Sequence, residues 1–110
     1  MSNKTVELTG FDKDVLKAVL LVKEKPVGYI GAKSITRLKC FLDGFCFGYN
    51  YPSTGSFFPA FQERIEAKYR WKYNDSWAAI LLKITNDEEK AFDLFYKEFQ
   101  CFLEENTIAD

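Results

Sequence analysis

The sequence predicts an all-α protein, a compact bundle of about five helices joined by short connecting loops. Apolar residues recur every three to four positions in most segments, which is the period of an α-helix. Clusters of Gly, Pro, Asn and Ser separate these segments. The length of 110 residues suits one hydrophobic core, and the 17% aromatic content supplies much apolar area for it. We therefore predict a single helical domain over residues 1–110, with residues 1–10 forming a flexible or irregular N-terminus.

The first predicted helix covers residues 12–25, where apolar residues at 15, 18, 19 and 22 follow helical spacing. The stretch 18–22 is apolar throughout and would also suit a buried strand. Pro26, just beyond a charged end, favours helix. Whether this segment is helix or partly strand stays open at this point. A loop is predicted over residues 26–31, since its two glycines can adopt positive φ.

The second predicted helix begins after Ser34, a favourable N-cap residue. Gly44 and Gly48 lie inside it and cost about 1 kcal/mol each relative to Ala. We interpret them as a site where another helix approaches closely, and their spacing indicates dimerisation more weakly. Its apolar stripe comprises Ile35, Leu38, Phe41, Leu42, Phe45 and Tyr49.

A turn-rich loop over residues 50–57 leads to a third helix, predicted over 58–69 with Phe61, Ile65 and Tyr69 inward. The fourth helix begins at a cap within residues 74–76 and carries an apolar stripe of Trp77, Ile80, Leu81 and Ile84. The fifth, over residues 87–105, has the most regular amphipathic pattern. Thr85 with Glu88, or Asn86 with Glu89, has the spacing of a capping box. Its apolar face comprises Phe92, Phe95, Phe99, Phe102 and Leu103.

Composition excludes most catalytic chemistry. There is no His, which removes the commonest general base and metal ligand. No CxxC or phosphate-binding glycine motif occurs, and Cys40, Cys46 and Cys101 suit small apolar fillers in a reducing cytoplasm. The acidic pairs Glu63/Glu66 and Glu89/Asp93 are interpreted as solvated helix faces. We predict a cytoplasmic protein that is not an enzyme and has no cofactor, metal site or membrane span.

Charge is unevenly distributed. The net charge of −1 argues against nucleic-acid binding, although the short segment Arg70-Trp71-Lys72-Tyr73 places aromatic rings between cations as a nucleic-acid contact does. Residues 85–110 hold eight acidic against two basic side chains. An acidic surface on a rigid scaffold favours association with a basic protein partner.

Three segments carry a resemblance to a known family. They are Lys25-Pro26-Val27-Gly28-Tyr29-Ile30-Gly31, Lys33-Ser34-Ile35-Thr36-Arg37-Leu38 and Phe41-Leu42-Asp43-Gly44-Phe45. Together with Ser76-Trp77 and the later Ala91-Phe92, Phe95 and Phe99, they resemble a pattern of small bacterial proteins over about residues 24–105. That family includes immunity proteins of contact-dependent growth inhibition and related polymorphic toxin systems. The resemblance implies an all-helical fold and neutralisation of a cognate toxin, often a nuclease.

We therefore predict an immunity protein that binds the C-terminal domain of its toxin and blocks the active site or the substrate groove. The alternative is a small helical adaptor or regulatory domain without a toxin partner, which could form a homodimer through the face of Gly44 and Gly48 or through an aromatic patch. Whether the chain is a monomer or a weak homodimer stays open. The predicted partner-binding residues are the acidic Glu88, Glu89, Asp93 and Glu104 and the aromatic Tyr51, Trp71 and Tyr73.

Overall fold

The computed structural model describes residues 5–7, 10–48 and 57–109, and the all-α class predicted from the sequence is confirmed. Two three-residue strands, β1 (Thr5–Glu7) and β2 (Thr107–Ala109), pair in parallel near the two ends of the chain. β1 lies in the segment predicted to be irregular. Three residues are too few to show the alternation of a strand, so the sequence pattern does not indicate β1. The described helices are α1 (Gly10–Glu24), α2 (Pro26–Ile30), α3 (Ile35–Gly48), α4 (Phe58–Lys68), α5 (Trp77–Thr85) and α6 (Glu88–Glu105).

The first segment, left open between helix and strand, is a helix. α1 begins at Gly10, and Val15, Val19 and Val22 are buried along one face. Leu20 and Leu21 are 43% and 39% exposed, so the continuous apolar stretch is in fact divided between core and solvent. α1 is fastened to α6 by the Tyr96 hydroxyl, which donates to the backbone oxygen of Val19 at 2.7 Å. Burial raises the pKa of Tyr96, so this hydroxyl stays a donor.

The prediction of a loop over residues 26–31 was wrong. The five-residue helix α2 occupies most of it, which makes six described helices rather than about five. Pro26 stands in its first turn, where the fixed φ of proline suits a helix start. Gly31 ends α2 in the left-handed region, with φ of 86°, as the predicted positive φ requires. The guanidinium of Arg37 lies against Gly31 and donates to the oxygen of Ile30 at 3.1 Å.

The caps of the last two helices differ from the prediction in one respect. Ser76 caps α5 as predicted, its side chain accepting from Ala79 N. The predicted capping boxes at Thr85 and Asn86 were wrong, because Asp87 is the N-cap of α6 and accepts from Lys90 N at 2.8 Å. Asn86 instead ends α5 in the left-handed conformation, with φ of 55°. Two overlapping candidates for one cap cannot be ranked by spacing alone.

The core is built on aromatic side chains of α4, α5 and α6. Phe61 is fully buried, and its ring meets those of Phe95, Phe99 and Phe102 edge-on at 5.4 to 5.8 Å between centroids. This edge-to-face geometry is the one that aromatic quadrupoles favour. The prediction that Ile84 faces inward was wrong, since its side chain is 40% exposed in the last turn of α5. The apolar face predicted for α6 is otherwise correct: Phe92, Phe95, Phe99 and Phe102 are buried and Leu103 is half-buried.

The interpretation of Gly44 and Gly48 as a site of close helix approach within the chain was wrong. Both lie on the exposed side of α3, and a Cβ added to either would meet no atom of the described residues within 4 Å. The cysteines also differ from one another. Cys46 fills the core as predicted and Cys101 is half-buried, whereas Cys40 is exposed on α3.

Candidate partner-binding surface

The first turn of α6 places Glu88 against the start of α3. Its carboxylate accepts from Ser34 Oγ at 2.8 Å, Thr36 N at 3.0 Å and Thr36 Oγ1 at 2.6 Å. The hydrogen bonds from Thr36, with smaller help from Ser34, hold the pKa of Glu88 below its ordinary value. Glu88 is thus committed to contacts inside the protein and fixes the position of the acidic turn that follows it.

Glu89 and Asp93 lie one turn apart on the exposed side of α6. Their side chains are 66% and 59% exposed, and both pair with Lys33, at 3.6 Å and 2.8 Å. The hydrogen bond to Asp93 is the largest cause of the raised pKa of Lys33. One ammonium therefore serves two carboxylates, which leaves this corner negatively charged. The structure brings Glu88, Glu89 and Asp93 together as the sequence-based hypothesis requires. We call these three residues the acidic corner.

Glu104 is remote from the acidic corner. It follows Asp93 by eleven residues on the same helix, a distance of about 16 Å along the axis. Its carboxylate is exposed and accepts from Gln100 Nε2 at 2.9 Å. A partner would have to extend along most of α6 to contact both ends.

The predicted aromatic anchors lie on the connector between α4 and α5. Trp71 is half-buried against the core and donates through Nε1 to Asp75 at 3.0 Å. Tyr73 is 74% exposed and meets the Trp71 ring edge-on at 5.9 Å. Arg70, in the left-handed region with φ of 52°, and Lys72 make this connector basic. Tyr51, the third predicted anchor, lies outside the described residues.

The connector and the acidic corner form separate surfaces. Within the described ranges, no hydrogen bond, ion pair or ring contact links Trp71 or Tyr73 to the acidic corner. The two surfaces also carry opposite charge. The predicted residues therefore divide into an acidic group, a basic aromatic group and the separate Glu104.

A buried ionic cluster between α4 and α6 was missed by sequence reasoning. Glu98 is 1% exposed, and its carboxylate pairs with Arg64 at 2.5 Å and Lys68 at 2.6 Å. Tyr69 donates its hydroxyl to the same carboxylate at 2.6 Å. Arg64 also holds the exposed Glu105 through two hydrogen bonds of 2.8 and 3.0 Å.

The protonation states within this cluster follow from its contacts. Burial acts to raise the pKa of Glu98, but the hydrogen bonds from Lys68, Tyr69 and Arg64 outweigh it and leave the pKa lowered. Burial, with Glu98, raises the pKa of Tyr69 to about 12, so its hydroxyl remains a donor. One feature of the sequence does indicate the buried position of Glu98. Glu98 follows Phe95 by three residues and precedes Phe102 by four, which places a carboxylate inside the apolar stripe.

The acidic excess of residues 85–110 is thereby reduced in three dimensions. Glu89, Asp93, Glu98 and Glu105 each form an ion pair with a base from another part of the chain. Lys33, Arg64 and Lys68 supply these charges. A net charge counted along the sequence therefore overstates the negative charge that α6 presents.

In the part of the chain that the structure describes, no group of three or more His, Cys, Asp or Glu side chains is placed to hold a metal ion. No described helix is long and apolar enough to cross a membrane.

The acidic pair Glu63/Glu66 is not buried: Glu63 is exposed, and Glu66 is half-buried with Gln62 donating to it at 3.0 Å. The described carboxylates outside the Glu98 cluster thus lie mainly in solvated positions.

A scan against protein-family models, a search of curated proteins and a search of solved structures each gave no significant match to the chain.

Proposed function

We propose that the protein is an immunity protein, which binds a cognate bacterial toxin domain and keeps it inactive. The observation that carries this proposal is the acidic corner: Glu89 and Asp93 are exposed on one turn of α6, and Glu88 fastens that turn to α3. A pre-positioned anionic surface loses little freedom on binding, so more of the interaction energy appears as affinity. The resemblance over residues 24–105 supports the same class.

The acidic corner suits a basic partner, such as a nuclease whose substrate groove is lined by Lys and Arg. Carboxylates that occupy such a groove exclude the phosphate backbone of the substrate. Lys33 is part of this surface, because a basic partner competes with it for Glu89 and Asp93. Inhibition requires no turnover, and protection depends on slow dissociation of the complex.

The proposal requires a neighbouring gene that encodes a toxin-like C-terminal domain. The test measures binding to that domain by surface plasmon resonance and survival of cells that express it. Glu89→Gln with Asp93→Asn should slow association and reduce its dependence on salt, because steering by charge is lost. Lys33→Ala should accelerate association, because it leaves both carboxylates unpaired. Asp14→Asn, which removes one exposed charge from α1, is the control for each of Glu89→Gln and Asp93→Asn made singly, and it should behave like the wild type.

Two results would contradict the proposal. If the protein neither binds the toxin domain nor protects cells, the immunity function is wrong. If it binds but the acidic-corner variants and Asp14→Asn behave alike, the function stands and the acidic corner is not the contact surface.

A second candidate, a dimeric helical adaptor, is favoured by the outer face of α3. Phe47 is 84% exposed there, beside the open positions Gly44 and Gly48. Glycines leave room for a second helix to approach closely. An exposed apolar side chain beside them would be covered by that helix. Sedimentation equilibrium of the wild type and of Phe47→Asp distinguishes the cases. A dimer that Phe47→Asp dissociates places the contact on this face of α3, as the adaptor requires, and a wild type that remains monomeric removes the dimeric adaptor.

A further inference from the structure

A cavity of about 330 Å³ lies where the second half of α3 meets the first turns of α4 and α5. This volume falls within the range of about 300–1,000 Å³ typical of small-molecule sites. An apolar cavity of about 150 Å³ already admits benzene, so this one has room for one or two rings. Its apolar walls are formed by Leu42, Cys46, Phe58, Pro59 and Trp77.

The aromatic walls are packed against neighbouring rings. Trp77 stacks on Phe58 at 5.4 Å with 9° between the rings, and on Phe95 at 4.8 Å with 30°. The thiol of Cys46 is 2% exposed, and burial raises its pKa, so this wall carries no charge at neutral pH. Aromatic rings held by their neighbours keep the cavity from collapsing when it is empty.

The polar groups at the cavity already have partners within the protein. Gln62 accepts from Trp77 N at 2.6 Å and donates to the oxygen of Asp75 at 2.9 Å. Lys39 pairs with Asp43 at 2.6 Å, so the rim carries one charge of each sign. Ser76 accepts from Ala79 N as the cap of α5. A charged ligand would therefore have to break an existing pair to find a counter-charge.

We propose that this cavity binds an uncharged, mainly apolar small molecule of one or two rings. Volume sets the size, the aromatic and aliphatic walls set the polarity, and the neutral rim disfavours a charged ligand. The proposal does not depend on the toxin-binding function, because the lining residues are separate from the acidic corner.

The test uses 6-propionyl-2-dimethylaminonaphthalene, an uncharged two-ring probe whose fluorescence depends on the polarity of its surroundings, and the anionic two-ring compound 5-dimethylaminonaphthalene-1-sulfonate. The uncharged probe should bind saturably, with one molecule per chain. The sulfonate should bind at least about tenfold more weakly, because desolvating an anion without a partner is costly. Cys46→Phe fills the cavity and should weaken the uncharged probe by more than about tenfold. Cys40→Phe, on the exposed side of the same helix, is the matched control and should bind like the wild type.

Two further measurements keep the test decisive if Cys46→Phe folds poorly. Cys46→Leu, a substitution smaller than Phe that fills part of the cavity, should weaken binding of the uncharged probe relative to the wild type. Asp43→Asn, which leaves Lys39 unpaired, should strengthen the sulfonate without changing the uncharged probe. The site is wrong if the wild type shows no saturable binding, or if Cys46→Leu binds the uncharged probe as tightly as the wild type does. Equal binding of both probes to the wild type overturns the assignment of an uncharged ligand.

Discussion

Thr36 of α3 and Glu88 of α6 lie 52 residues apart and are joined by two hydrogen bonds, from the Thr36 backbone N at 3.0 Å and from its hydroxyl at 2.6 Å. This contact sets the first turn of α6 against the first turn of α3. Glu88 therefore differs in role from Glu89, its neighbour in the acidic corner. Glu88 positions the surface, whereas a partner can contact the exposed Glu89 and Asp93.

Glu88→Gln should lower the free energy of unfolding by about 1–2 kcal/mol, because hydrogen bonds to a charged group are lost or weakened. Glu89→Gln, at the next position and exposed, should change it by less than about 0.5 kcal/mol. Urea unfolding followed by circular dichroism measures both. If Glu88→Gln lowers the free energy of unfolding as little as Glu89→Gln does, the contact between Glu88 and α3 contributes no stability.

Glu98→Ala should lower the free energy of unfolding by about 3–5 kcal/mol, because it removes one partner of a buried ionic cluster. Glu105→Ala is the control on the same helix. It removes an exposed partner of the same Arg64 and should cost less than about 1 kcal/mol. Chemical denaturation distinguishes the two, and comparable costs would contradict the assignment of Glu98 as a buried charge.

Acid should destabilise the protein partly through Glu98. Its pKa in the folded protein is lowered from an ordinary value of 4.5, so the stabilisation is complete above that pH and is lost as the pH falls through the lower, folded pKa. Unfolding free energies measured from pH 6 to pH 3 should fall less steeply for Glu98→Gln than for the wild type. Glu104→Gln controls for the loss of one negative charge. The same slope in Glu98→Gln and wild type would contradict the prediction.

Gly44→Ala should stabilise the protein by about 0.5–1 kcal/mol, because it improves helix propensity at an open position. Gly31→Ala should instead destabilise it by about 1–3 kcal/mol, since φ is 86° and the added Cβ would meet the Arg37 guanidinium. Thermal unfolding of the two variants gives opposite shifts. Destabilisation by Gly44→Ala would indicate that this face of α3 is covered, as in the dimeric alternative.

Much of the candidate surface could be predicted, but its electrostatics could not. Glu88, Glu89 and Asp93 share one end of one helix, so their proximity follows from the period of 3.6 residues. That Glu88 is occupied by Thr36, and that Lys33 pairs with Glu89 and Asp93, depends on where α3 meets α6. Such contacts join residues more than 50 positions apart, and no local spacing contains them.

The sequence predicts correctly the all-α class, the ends of five of the six described helices to within about two residues, and the core face of α6. These features depend on interactions between residues a few positions apart, which periodicity and capping residues record. Three features could not be predicted and depend on tertiary contacts: Glu98 is buried with Arg64 and Lys68, Gly44 faces outward, and a cavity remains beside Cys46. Each depends on which helix faces meet and how closely they pack, and that is fixed by the sum of many contacts between distant segments.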